Sequence, residues 1–138
     1  MIQKVNPKFV PMYIKKDPVR PHINAETRMM PGRDIYHIDE KAFVCLAYLD
    51  RVPADEETLL SAEIGPVVVA YTVWSLEKGM GRKIILDLQA MIRETYRFKR
   101  LVTLSPKTEM ATKFHLSNGA ELIAENMTTN NFEYDIEW

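Results

Sequence analysis

The stretch Pro66-Val67-Val68-Val69-Ala70-Tyr71-Thr72-Val73-Trp74-Ser75-Leu76-Glu77-Lys78-Gly79-Met80-Gly81-Arg82-Lys83 decides the fold. Its first half is an unbroken β-branched and aromatic run, the composition of a central strand buried on both faces. Ser75 to Gly81 reads as a loop. In the helix that follows, Ile85, Leu88, Ile92 and Tyr96 recur at helical spacing, and Ile84 and Met91 widen the stripe. Leu101 to Leu104 gives another short strand. Strand, helix, strand in that order implies a parallel pair joined by a right-handed crossover. The loop itself has a chemical use. Gly79 and Gly81 let the backbone turn tightly and approach a ligand. The first amides of a helix point outward without partners, and with the dipole they attract anions. Lys78, Arg82 and Lys83 add positive charge at the same place. The loop is a candidate phosphate or pyrophosphate site; a plain connection with a basic rim is the alternative.

Working outward, Asp34 to Ile38 and Ala42 to Leu49 read as strands joined through Asp39-Glu40-Lys41 as a hairpin. Pro53 followed by Asp55, Glu56 and Glu57 marks a short helix start, docked by Leu59 and Leu60. Arg93, Arg97, Lys99 and Arg100 gather where the long helix ends, and cations favour its negative pole there without nucleic acid. Ser105-Pro106 has the form of a helix cap and first position. That helix runs through Met110, Ala111, Phe114 and His115 to a left-handed stop at Asn118-Gly119. Ala120 to Ala124 is a strand. Phe132, Tyr134, Ile136 and Trp138 alternate with acids, which marks a last strand with one apolar face. The implied architecture is α/β (α+β): a single mixed β-sheet with helices on both faces.

Composition narrows the function. The chain has 138 residues, enough for one domain, and its 18 Lys+Arg nearly cancel 19 Asp+Glu. Neither a strongly basic nucleic-acid binder nor an acidic tail fits that balance. No stretch approaches the roughly 20 apolar residues of a membrane span, and the N-terminus lacks a signal-peptide pattern; a cytosolic location is expected. Cys45 is the single cysteine and lies in an apolar run, as a small core residue or a reactive thiol. Residues 1–33 hold five of the eight prolines, so extended segments, turns and at most short strands are expected there. Lys15, Lys16 and Arg20 read as a solvated face. His22, His37 and His115 are scattered, so no metal is expected. Met29-Met30 and Trp138 are apolar groups for the core or for a homodimer contact.

The loop has neither the Walker spacing nor the third glycine of a dinucleotide fingerprint, which would fall at Ile84. Residues 64–123 instead resemble the coenzyme A-binding half of a GCN5-related N-acetyltransferase (GNAT). That family carries Q/R-x-x-G-x-G/A after its fourth strand; here Leu76-Glu77-Lys78-Gly79-Met80-Gly81 stands in that place. Its later helix often carries N-x-x-A-x-x-x-Y-x-x-x-G; here the spacing reads Thr108, Ala111, His115 and Gly119. Leu76 departs from the polar residue, Thr108 from the asparagine and His115 from the tyrosine. The whole chain is also similar to short proteins of marine tailed phages, through Tyr71 to Ser75 and Thr103 to Met110.

The resemblance implies a single GNAT-like domain over residues 1–138 and acetyl-CoA or coenzyme A as cosubstrate. Pantetheine would lie along the backbone of Tyr71, Thr72, Val73 and Trp74, with the pyrophosphate on Lys78, Gly79, Met80, Gly81, Arg82 and Lys83 and a contact from Thr108. A backbone N–H near Val73 would polarise the thioester oxygen. His115 and Ser105 are the candidates to protonate the leaving sulfur, while core filling is the other reading of His115. An amine acceptor would attack directly in a ternary complex. Two alternatives stay open: a non-catalytic coenzyme A-binding or protein-binding module, and a phage structural or host-takeover protein that uses the fold as a surface.

Overall fold

Where side chains alternate on a strand buried on both faces, one strand feeds two cores, and that is how this molecule is layered. The computed structural model describes residues 1–137, so Trp138 and its expected contact lie outside the described residues. One mixed sheet contains β1 (Gln3–Lys4), β2 (Arg33–Ile38), β3 (Ala42–Leu49), β4 (Val67–Ser75), β5 (Arg100–Thr103), β6 (Ser105–Pro106), β7 (Glu121–Glu125) and β8 (Thr129–Tyr134). Their order is β1-β2-β3-β4-β5-β8-β6, with β7 also paired to β8. β4 and β5 run parallel, Val67 opposite Arg100 through Ala70 opposite Thr103. Their crossover is α4 (Met80–Arg93).

Helix α4 buries Ile84, Ile85, Leu88 and Ile92 against Val44, Leu46, Val68 and Ala70 on one face of the sheet. The opposite face gathers Phe43, Cys45, Val69 and Tyr71 under Val10, Ile23 and Leu59. These come from α1 (Val10–Ile14), the segment before α2 (Ala25–Arg28), and α3 (Glu56–Ser61). Helices thus cover both faces, as the sequence implies. Cys45 is fully buried and its thiol is pushed up by desolvation.

Several local expectations are corrected. The N-terminal segment is helical in part because Pro7 and Pro11 sit in the first turns of a 3-10 turn (Pro7–Phe9) and of α1, where a missing N–H costs nothing. Arg20 is not on a solvated face: it is 4% exposed and bonded to Glu56 and Tyr71. Leu59 docks α3 while Leu60 points outward. α4 stops at Arg93, so Tyr96 leaves the stripe and is exposed. The chain must turn there to feed β5, with Thr95 Oγ1 donating to the Met91 carbonyl (3.1 Å) and Lys99 N–H to Pro66 O (2.9 Å). Arg93 alone of the four basic residues lies in the last helical turn. Ser105-Pro106 opens no helix. It pairs with Thr129 and Asn130, and α5 (Glu109–Ser117) starts at the Thr108 cap, whose hydroxyl accepts from Ala111 N–H at 3.1 Å. The last strand begins at Thr129 and ends at Tyr134, before Ile136. Met29 and Met30 are exposed.

Candidate functional site

β4 is nine residues long, but β5 accompanies only its first part. The last bond between them is Leu104 N–H to Ala70 O at 3.2 Å. Beyond it the strands part. The resulting cleft, about 340 Å³, is lined by Ala70 to Ser75 on one side and by Leu104, Ser105, Pro106 and α5 on the other. Lys16, Pro18 and Val19 also line it. A ligand at the carboxyl ends of parallel strands is the general habit of α/β sheets.

A bulge shapes this cleft. Cys45 pairs with Thr72 and Leu46 with Ala70, so Tyr71 is an extra residue on β4. An inserted residue reverses the alternation that follows it. Upstream, Val69 packs in the α3-side core and Val68 and Ala70 in the α4-side core; downstream, Trp74 is in the former and Val73 packs against the latter. Tyr71 and Thr72 both lie beside the Cys45 thiol. The backbone reverses too. Upstream, the even-numbered carbonyls Pro66 and Ala70 accept from the β5 side, at 2.9 and 3.2 Å. Downstream, even-numbered Leu76 N–H donates toward β3, to Lys41 O at 2.7 Å. The amide of Val73 therefore faces the cleft. The Tyr71 carbonyl, also turned from β3, accepts from the Arg20 guanidinium.

The other end of the cleft is the glycine loop. Gly79 has φ +86° with open space where a Cβ would stand, so its glycine serves conformation and leaves room outside. Gly81 serves packing: a Cβ there would come within 3.3 Å of the Phe114 ring. The three expected cations divide. Arg82 donates to Asn118 Oδ1 at 2.7 Å and so ties α4 to α5. Lys83 is 3.7 Å from Asp87 in an i,i+4 pair, and Lys78 is exposed. Trp74 lines the cleft, stacked on Phe43 (5.1 Å between centroids), and its indole N–H is buried with no partner among the described residues. The open glycine, the helix terminus and this orphaned donor fit an elongated phosphate-bearing ligand.

Ser105, Thr108 and His115 all line the cleft. The Ser105 hydroxyl donates to Thr103 Oγ1 at 2.8 Å, which also accepts Phe132 N–H at 3.0 Å. Thr108 is committed to capping α5. His115 Nδ1 lies 2.7 Å from the Tyr134 hydroxyl, between the Phe114 and Phe132 rings. Burial lowers its pKa to about 4, so the imidazole is neutral at physiological pH. Among the described residues no carboxylate lines the cleft. Sequence reasoning missed Arg20 and the bulge. Nothing in the Tyr71-Thr72 dipeptide signals an insertion, and Arg20 meets its partner 51 residues away.

No protein-family model matches the sequence, and no curated protein matches it significantly. Solved structures do. The loading GNATL domain of CurA from Lyngbya majuscula superposes with a TM-score of 0.72 at 13% identity, covering 99% of this chain and 97% of that one. The chain has the GNAT fold. The aminoglycoside acetyltransferase AAC(6')-Ib, solved with coenzyme A, gives a TM-score of 0.68 at 13% identity, over 97% of this chain and 93% of that one. Malonyl-CoA decarboxylase from Agrobacterium vitis gives 0.65 at 21% identity over 81% of this chain. The chain spans only 34% of that decarboxylase's length. Among the described residues no three His, Cys, Asp or Glu side chains come together to hold a metal, and no helix is long and apolar enough to cross a membrane.

Proposed function

We propose that this chain binds an acyl-coenzyme A between β4 and β5 and transfers the acyl group to an amine by direct attack. The observation that carries the reading is the bulge at Tyr71, which turns the Val73 amide into the cleft. A fixed N–H at a thioester oxygen stabilises the charge that develops there, an effect on the order of 3 kcal/mol in oxyanion holes. The first turn of α4, Gly79 to Arg82, receives the pyrophosphate with Lys78 and Lys83 as outer cations. The Trp74 indole and the cleft-facing backbone groups of Val73 and Ser75 hold the pantetheine amides. Ser105 and His115 face the sulfur. His115 is neutral, so it acts as a hydrogen-bond donor or acceptor and not as an imidazolium acid. The neutral amine attacks through its lone pair, the C–S bond breaks as the tetrahedral intermediate collapses, and the departing thiolate takes the proton shed by that nitrogen, directly or through the Ser105 hydroxyl.

Titration calorimetry with coenzyme A, acetyl-CoA and malonyl-CoA, beside Gly79→Glu and Gly81→Glu, tests the reading. Micromolar binding that is lost in both variants, with their far-ultraviolet dichroism unchanged, is the expected outcome. No binding at millimolar ligand would overturn it. Malonyl-CoA belongs in the series because a decarboxylase shares the fold. A second reading, a coenzyme A-binding or protein-interaction module without turnover, is favoured by one observation: among the described residues no carboxylate lines the cleft to act as a base. Binding without thioester cleavage across an amine panel would select it, and phage or host proteins would then be the partners to seek.

A further inference from the structure

When two parallel strands part inside a protein, the backbone groups at the fork lose their ladder partners, and a buried carbonyl left alone is costly. The fork here lies at Ala70 and Leu104, and the next free carbonyl is that of Tyr71, a residue only 2% exposed. Its partner is the guanidinium of Arg20. We infer that Arg20 is a positioning residue for the acyl site: it fills the hydrogen bond that β5 gives up, and so fixes the bulge that aims the Val73 amide.

Arg20 is itself held from three directions. Its Nε donates to Glu56 Oε1 at 2.9 Å, from α3. Its backbone N–H donates to Asp17 Oδ1 at 3.2 Å. Its carbonyl accepts from Arg28 Nη2 at 2.5 Å, and Arg28 pairs with Asp17 at 2.7 Å, both side chains fully buried. Glu56 also meets His22 at 2.8 Å, outside the cluster. A planar fork with fixed donor directions can meet a carboxylate and a carbonyl at once; an ammonium cannot span them in the same way. The arrangement makes the N-terminal segment and α3 a buttress for β4 from the face opposite α4. The inference rests on the acyl-CoA reading for its functional meaning, but the bulge can be observed without ligand.

The test uses the full-length protein with Arg20→Lys, Arg20→Met and the milder Glu56→Gln. Amide hydrogen exchange by nuclear magnetic resonance, without ligand, reads Thr72 and Trp74 against Val68 and Val69 on the same strand. Exchange at Thr72 and Trp74 should accelerate at least about tenfold more than at Val68 and Val69, because opening is local and not global. Calorimetry then reads the ratio of acetyl-CoA to coenzyme A affinity. The ratio should fall to about one in Arg20→Met and partly recover in Arg20→Lys, while coenzyme A alone changes less than about threefold, since its phosphate contacts are elsewhere. Uniform acceleration along β4 in the folded variants would overturn the inference, as would an unchanged ratio. If Arg20→Met does not fold, the same two outcomes are decided in Glu56→Gln. A wild-type chain that binds neither ligand would defeat the acyl-CoA reading, while the exchange pattern alone would still decide whether Arg20 holds the bulge.

Discussion

The two halves of β4 share one strand, yet they do different work. Val67 to Ala70 is zipped on both edges, to β3 and β5, and its side chains close the two cores. Tyr71 to Ser75 keeps β3 but loses β5, and its free edge becomes the wall of a cleft. The difference comes from one extra residue and from a partner strand four residues long. A β-branched run makes a strand; which of its edges stays bare is decided by the neighbour.

The comparison breaks hardest with one charge placed in each half. Val69→Asp puts an unpaired carboxylate at a fully buried site and should cost more than about 4 kcal/mol, which removes the cooperative urea transition. Val73→Asp, at a half-buried site beside the cleft, should keep that transition within about 2 kcal/mol of wild type yet abolish acetyl-CoA binding. Comparable losses of stability in the two would show that the halves are not distinct. A smaller effect sharpens the picture at the cleft wall. His115 has its pKa lowered from 6.5 to about 4 by burial, so the unfolded chain takes up the proton first as pH falls. Its contribution is present in full above pH 6.5 and is lost as pH drops through about 4, roughly 3 kcal/mol in total. Urea titrations of His115→Phe between pH 7 and pH 4 should show a shallower acid loss than wild type; parallel curves would mean that this imidazole is already solvated. The smallest expected change is Thr108→Ala, about 1 kcal/mol from the lost α5 cap, read as a shift in the melting midpoint.

What the sequence made legible follows the same division. The run Val67 to Trp74, the stripe Ile84-Ile85-Leu88-Ile92 and the stop at Gly119 are local signals, and each stands in the structure where its chemistry places it. The glycine loop was legible as well, because Gly79 at φ +86° is a backbone requirement that the residue type advertises. Arg20 was not. Charge beside proline looks like surface until Glu56 and Tyr71 arrive from 36 and 51 residues away. Ser105-Pro106 misled because a serine before a proline caps helices and also ends a strand pairing; its partners Thr129 and Asn130 decide, and they are distant in sequence. Lys78, Arg82 and Lys83 were correctly placed at one helix end, but their count overstated the free charge, since Arg82 serves α5.

Cys45 has a practical consequence. It is the chain's single thiol, fully enclosed beside Arg28, and burial keeps it protonated. A chromogenic disulfide reagent therefore leaves the native polypeptide silent and would report any coenzyme A thiol set free beside it. The same dye, added without any thioester, clocks each opening of the core.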